Sequence, residues 1–274
     1  MPVALLFVEG KLDAELLGAV LQGSPVVKVG GSKGDLPHQV RRAREDRIVA
    51  ACLRDRDFEY SPTPAGGDSG PPPIHHSGEI AGWRWHRHEI ENYLLDPAIV
   101  SACFGWPTTA YEEALVEAAQ RIRHYQAARW ALASLQRTLP PAIPRRHEEC
   151  GKREFALPTA LDEPSQRTWV LENAGAFRQQ LLAVLDEAAV ESLLTEQSRR
   201  LADPAIATAA GALEWCSGKD LLAALGPWLV EVQKADPQRM RRRLRDWVRD
   251  HPDQALERLP EWRGLVTALR TFPS

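Results

Sequence analysis

Short apolar runs alternate with amphipathic stretches over the first hundred positions. Val3–Val8 is an apolar, partly β-branched run stopped by Glu9-Gly10, which predicts a buried strand. Leu12, Leu16, Leu17, Val20 and Leu21 then recur at helical spacing across Lys11–Leu21. Pro25–Val29 predicts a second strand closed by Gly30-Gly31, and Leu36–Asp46 an amphipathic helix with Val40 and Ala43 set among arginines. Arg47–Arg54 predicts a third buried strand ending at Asp55-Arg56-Asp57, and Gly82–His88 a fourth. Between them, Ser61–Pro73 is rich in Pro, Gly and Ser and predicts a long loop. A β-α-β-α-β order favours a parallel sheet with right-handed crossovers.

The pattern changes after Asp96-Pro97. Helical spacing dominates at Tyr111–Leu135, Ala174–Leu194, Gly218–Lys234 and Pro237–Val248, with breaks predicted at Pro140–Pro144 and Leu157–Pro164. The expected fold class is therefore α/β. A mostly parallel sheet flanked by helices spans residues 1–97, and a mostly helical region spans 98–274.

Composition narrows the setting. The 274 residues are 44% hydrophobic, enough for a folded core. A net charge of -3 gives no global positive field for coating nucleic acid, although carboxylates that bind cations would themselves lower the net charge. Cys52, Cys103, Cys150 and Cys216 are scattered without CxxC spacing, which argues against zinc and disulfide frameworks and for a reducing cytoplasm. The first residues lack the basic region and cleavage site of a signal peptide. No apolar stretch approaches the roughly 20 residues of a membrane helix, so no membrane partner is expected.

Candidate chemistry lies where the strands end. Metal-assisted phosphodiester chemistry needs converging carboxylates, and in open parallel sheets ligands bind at the carboxyl ends of strands. Glu9 follows the first strand and Asp13 lies one helical turn on. Asp55 and Asp57 follow the third strand at i, i+2, which puts both on one face if the strand continues through them. Glu89 and Glu91 repeat that spacing after the fourth. Such oxygen donors suit Mg²⁺ or Mn²⁺.

FVEGKLD, then CLRDRDFE with Asp55 46 positions after Glu9, resembles the signature of Toprim domains, and HEIENYLLDP narrows the likeness. It resembles a bacterial Toprim group called domain of unknown function 4435. That group is related to overcoming-lysogenization-defect (OLD) nucleases and includes the Toprim subunit of the PARIS anti-phage system. The resemblance covers residues 3–97 and a later segment, WCSGKDLLAAL. It implies a metal-dependent nuclease in which Glu9, Asp13, Asp55 and Asp57 bind one or both metals and Glu89 and Glu91 complete the second site. Lys219 would return to the site and stabilise phosphate charge. It further implies a cytoplasmic antiviral hydrolase acting on DNA or RNA, tRNA included, with control by a separate ATPase partner. A homo-oligomer is compatible with it. The reading from a different class is a non-catalytic Toprim-like binding or regulatory subunit of an ATPase-containing complex.

Plainer readings stand beside these. Asp and Gly are common where strands end, Asp13 suits a first helical turn, and Lys219 could simply begin a helix. Gly30–Gly34 lacks Walker A spacing, yet its glycine turn and Lys33 could meet a substrate phosphate. His88 is a further candidate for touching phosphate. Arg239–Arg245 reads either as a phosphate-tracking face or as a solvated face paired with Asp246, Asp250 and Asp253.

Overall fold

A computed structural model describes residues 2–62, 70–140 and 159–272. The chain runs β1 (Leu5–Val8), α1 (Lys11–Val20), β2 (Val26–Val29), α2 (Leu36–Glu45), β3 (Ala50–Arg54), β4 (Pro73–His76) and β5 (Glu79–Arg84). Helices follow: α3 (Ile90–Leu94), α4 (Pro97–Phe104), α5 (Thr108–Thr138), α6 (Glu163–Val184), α7 (Glu187–Leu201) and α8 (Ala209–Trp215). The last are α9 (Gly218–Ala224), α10 (Gly226–Glu231), α11 (Pro237–Asp250), α12 (Pro252–Arg258) and α13 (Pro260–Arg270).

The sheet order is β2-β1-β3-β5-β4. β1 pairs in parallel with β2 and β3, and β3 pairs in parallel with β5. β4 is antiparallel to β5 and was not expected: it begins at the last residue of the stretch read as loop, and Pro73–His76 is short and half polar. The α/β architecture with a mostly parallel sheet is thus as expected.

Period-2 alternation explains how two faces are covered. Leu6 and Val8 of β1, with Ala51 and Leu53 of β3, point into the larger core. Leu5, Phe7, Ala50 and Cys52 point the other way, where Leu36, Val40 and Ala43 of α2 cover them. The larger core draws in residues from far along the chain: Ile99 of α4, Leu115 of α5, Leu213 of α8, Leu221 of α9, Met240, Leu244 and Val248 of α11, and Trp262 of α13. Val3 N–H also donates to Leu269 O at 2.9 Å. Residue 97 is therefore not a seam, since later helices fill the core of the sheet. The compact units are Met1–Gln126 with Arg200–Ser274, and Ala127–Arg199.

Within the second unit, Asp162 caps α6 by accepting from Ser165 N–H at 2.9 Å, with Pro164 in the first turn. Pro164 here opens a helix instead of breaking one, as a proline in the first turn can. The helix expected over Ala174–Leu194 is two, ending and restarting around Leu185-Asp186. Gly218–Lys234 likewise divides at Gly226-Pro227, where Pro227 starts α10. The break expected at Pro140–Pro144 lies largely outside the described residues, as does Cys150.

β3 and β5 approach so closely that only glycine fits at position 82: a Cβ there would lie 1.8 Å from Cys52 O. Gly82→Ala is expected to lower the unfolding free energy by about 3 kcal/mol, as overpacking of a rigid backbone does. Gly175→Ala on α6, whose Cβ would meet nothing within 4 Å, is expected to be neutral or to stabilise by about 0.5–1 kcal/mol. Urea denaturation of the two variants checks the contrast.

Candidate metal centre

β1, β3 and β5 are neighbours, so the segments following them emerge side by side at one edge of the sheet. Glu9 leaves β1, and its Oε1 accepts the Asp55 N–H at 3.0 Å, tying two strand ends together. Asp13 sits in the first turn of α1 and is only 7% exposed. β3 stops at Arg54, and Asp57 is not on a continued strand: its φ is 47°. Asp55 and Asp57 are therefore brought together by a turn, and not by strand alternation as expected. The turn is fixed by Asp57 N–H donating to His88 O at 3.0 Å. Arg56 is buried between them and holds Tyr60 O at 2.9 Å and Glu214 O.

Glu89 is the N-cap of α3 and Glu91 lies in its first turn, both nearly enclosed. Asp55, Asp57 and Glu89 each offer a carboxylate oxygen within 4.8 Å of the others, a grouping that could hold a metal ion. Charge-complementing cations surround it. Lys219 Nζ lies 2.5 Å from Glu89 Oε2 and 3.8 Å from Glu91 Oε2. Arg241 Nη2 lies 2.7 Å from Glu91 Oε1. Lys33 Nζ lies 2.6 Å from Asp57 Oδ2 and 3.3 Å from Glu59 Oε1.

The segment that delivers Lys219 is held by side chains the sequence pattern gave no reason to single out. Asn92 is fully buried and makes four bonds. Its Oδ1 accepts from Glu89 N–H and Gly218 N–H, each at 3.1 Å, and its Nδ2 donates to Leu213 O and Cys216 O, each at 2.9 Å. A Cβ at Gly218 would lie 2.6 Å from Asn92 N, so glycine is required for this approach. Ser217 Oγ and Lys219 N–H both donate to Glu89 Oε1, at 2.8 and 2.9 Å. Gln126 accepts from Ser217 N–H at 3.1 Å and donates to Asp220 Oδ2 at 2.8 Å. Asn92, Gln126 and Ser217 are sites whose partners lie roughly a hundred residues away, which local spacing cannot reveal.

Electrostatics mark the centre as short of positive charge. Burial, then the charges of Asp13, Glu9, Asp57 and Glu89, push the Asp55 carboxyl well above its usual range. Burial and the neighbouring Glu91 raise Asp13 from its ordinary 3.8 to about 7. Glu9 and Glu91 are raised by burial despite the opposing cations Lys33, Lys219 and Arg241. Burial works against the Lys219 ammonium, but the Glu89 charge outweighs it and the net shift is upward. Clustered oxygen donors that resist ionising together are suited to a hard cation, which would stabilise their charged forms.

Of the remaining expected residues, His88 is corrected. Its ring is fully enclosed and packs on Phe58, with centroids 4.5 Å apart, which leaves it no exposed surface to offer a phosphate. The Gly30–Gly34 turn is filled from within: Asp35 Oδ2 accepts from Ser32 N–H at 3.1 Å and Ser32 Oγ at 2.6 Å. The Ser32 N–H is thus spent on the chain's own carboxylate, while Lys33 reaches the cluster through Asp57. Arg245, which ends the basic run, and Arg249 beyond it pair with Glu15, Asp246 and Asp250, and Asp253 instead meets Gln22. No helix among the described residues is long and apolar enough to cross a membrane.

No protein-family model matches this chain, and no curated protein matches it.

The raised acids make stability depend on pH. Between about pH 4 and 7 the folded chain keeps the Asp13 proton that the unfolded chain has released, so stability of the metal-free protein falls as pH rises through that window. In EDTA, the melting temperature is expected to fall between pH 4.5 and 7.5, and to fall less in Asp13→Asn. Equal slopes would remove Asp13 as a source. Mn²⁺ is expected to raise the midpoint more at pH 7.5 than at pH 5, by about 2.7 kcal/mol of stability at a hundredfold excess over its dissociation constant.

Proposed function

We propose that this chain is a metal-dependent nuclease that hydrolyses phosphodiester bonds through a Toprim-like carboxylate site. The observation that carries the reading is the meeting of Asp55, Asp57 and Glu89 beside Glu9 at the ends of adjacent parallel strands, with Lys219 at their edge. A bare cluster of acids is common on protein surfaces. This one is partly buried, with Glu89 enclosed, draws in a lysine from a helix more than a hundred residues away, and keeps several carboxyls near it above their usual range.

Mg²⁺, or Mn²⁺ in its place, would be held by Asp55, Asp57 and Glu89, where it would supply an activated water and neutralise phosphate charge. Glu9 fixes the Asp55 backbone, and so the direction in which that carboxylate points. Asp13 adds a carboxyl that gains or loses a proton near neutral pH beside Asp55. Lys33 steadies Asp57 at the outer side of the turn. Lys219, with a side chain 59% exposed, is close enough to the acids to offset charge on a substrate phosphate and still reach solvent. A role in anti-phage defence, with a separate ATPase partner, is the part of this reading that rests on the resemblance of FVEGKLD, CLRDRDFE and HEIENYLLDP alone.

Purified protein incubated with plasmid DNA and with total tRNA, in Mg²⁺, Mn²⁺ or EDTA, tests the reading. Metal-dependent cutting is expected, reduced at least about a hundredfold in Asp55→Ala. Whichever substrate is cut assigns the class. Metal binding without cutting of either would favour the regulatory subunit, and no metal binding would end the Toprim mechanism.

A further inference from the structure

The basic run on α11 has one member that the chain directs at the carboxylate cluster. Arg245 is engaged by Glu15 and Asp246, and Arg249 by Glu15, Asp246 and Asp250. Arg243 lies over the Phe104 ring at 4.4 Å. Arg239 and Arg242 are exposed and carry no ion pair among the described residues. Arg241 alone meets Glu91, whose side chain is 4% exposed, while its own remains 44% exposed.

Glu91 is correspondingly committed. Its Oε1 faces Arg241 at 2.7 Å and its Oε2 faces Lys219 at 3.8 Å, and it is outside the group of acids close enough to share an ion. A carboxylate with a chain cation on each oxygen acts as a mount for those cations. Arg241 gives Glu91 an Nη2 donor, which leaves other donors of its planar fork on the exposed side. A guanidinium fork matches the oxygens of a phosphate in a way that an ammonium cannot.

We propose that Arg241, mounted on Glu91, is a second phosphate-binding group of this centre beside Lys219, and that Glu91 is a positioning residue and not a metal ligand. The ligand class is a phosphodiester of the substrate strand, so the inference rests on the nuclease reading and extends it. Glu91 holds Arg241 within reach of the acids without spending its remaining donors, and Asn92, the next residue, fixes the Lys219 segment. Two cations carried by separate helices, α9 and α11, thus border one acidic cluster.

The test compares wild type, Arg241→Ala, Arg241→Lys, Glu91→Gln and the exposed neighbour Arg242→Ala. Binding of a fluorescein-labelled 20-mer DNA and of labelled tRNA is read by anisotropy in Mn²⁺ from 50 to 200 mM salt. Cleavage of the same probes, Mn²⁺ affinity by calorimetry and melting temperature are read alongside. Arg241→Ala is expected to weaken binding or slow cleavage about tenfold or more and to lower the salt slope by about one. Arg242→Ala should stay within twofold on both readouts. Mn²⁺ affinity should be unchanged in Arg241→Ala and Glu91→Gln, and a protein carrying both Arg241→Ala and Glu91→Gln should be little worse than either single variant. Lysine at 241 should recover the salt slope but only part of the rate. An Arg241→Ala protein that matches wild type, or one that loses Mn²⁺ binding or folding, overturns the phosphate role. Loss of Mn²⁺ binding in Glu91→Gln overturns the mount. If wild type cuts nothing yet binds with an Arg241-dependent salt slope, the nuclease reading fails while the contact of Arg241 with a nucleic-acid phosphate is upheld. Failure of wild type to bind either probe counts against both.

Discussion

Like charges confined at the ends of β1, β3 and β5 are the constraint around which the rest is arranged. Glu9, Asp13, Asp55, Asp57, Glu89 and Glu91 come within each other's fields, several of them largely out of water. Burial disfavours the ionised forms of Glu9, Asp13, Asp55 and Glu91, and repulsion from neighbouring acids adds to it. Such a cluster persists because the apolar core on the large face of the sheet supplies the stability that it withdraws. The parallel sheet makes the crowding unavoidable: strands in register at Val8, Leu53 and Trp83 must release their following residues at one edge.

Relief comes from elements remote in sequence. Lys33 arrives from the turn before α2, Lys219 from the start of α9, and Arg241 from α11. This explains why the sheet-bearing unit closes with residues 200–274 in place of ending at the last strand. α9 and α11 contribute Leu221, Met240 and Leu244 to the core with one face, and cations to the acidic edge with another. Packing and electrostatics thus fix the same helices. Asn92 joins the two roles, since its buried amide satisfies four backbone groups drawn from α3 and the α8–α9 connection. A neutral amide suits that position, because it supplies two donors and two acceptor lone pairs without adding another charge.

How much was legible follows from the range of each interaction. Local periodicity located β1, β3, α1, α2 and α11 to within a few residues, because apolar spacing reports which face is buried. The strand-end acids were legible for the same reason, since Glu9 and Asp55 directly follow buried runs. β4 was not, being a short edge strand whose partner supplies its order. The placement of His88 was illegible because a histidine beside two acids reads as functional, whereas Phe58 packs its ring inward. Asp57 depends on a positive φ held by a bond to His88 O, and neither spacing nor residue type announces that. Arg241 sits in a run of arginines that looks uniform in sequence. Only the position of Glu91 makes it different from its neighbours.

Several departures from local rules meet at the acidic edge of the sheet. A carboxyl shifted to about 7, a left-handed aspartate, a buried arginine between two acids and a glycine forced against Asn92 all fall within or beside the same edge. Away from it, Asp96, Asp162, Thr208 and Asp236 cap helices, and surface arginines pair with nearby acids. Sequences specify a structure when their local choices agree with the global one, and departures collect where function requires them. Polar residues used only for solubility would be cheaper as exposed, mutually distant charges. Holding these acids together, half neutralised by the chain's own lysines and arginine, leaves a deficit of positive charge that a divalent cation and the groups around it are chemically suited to fill.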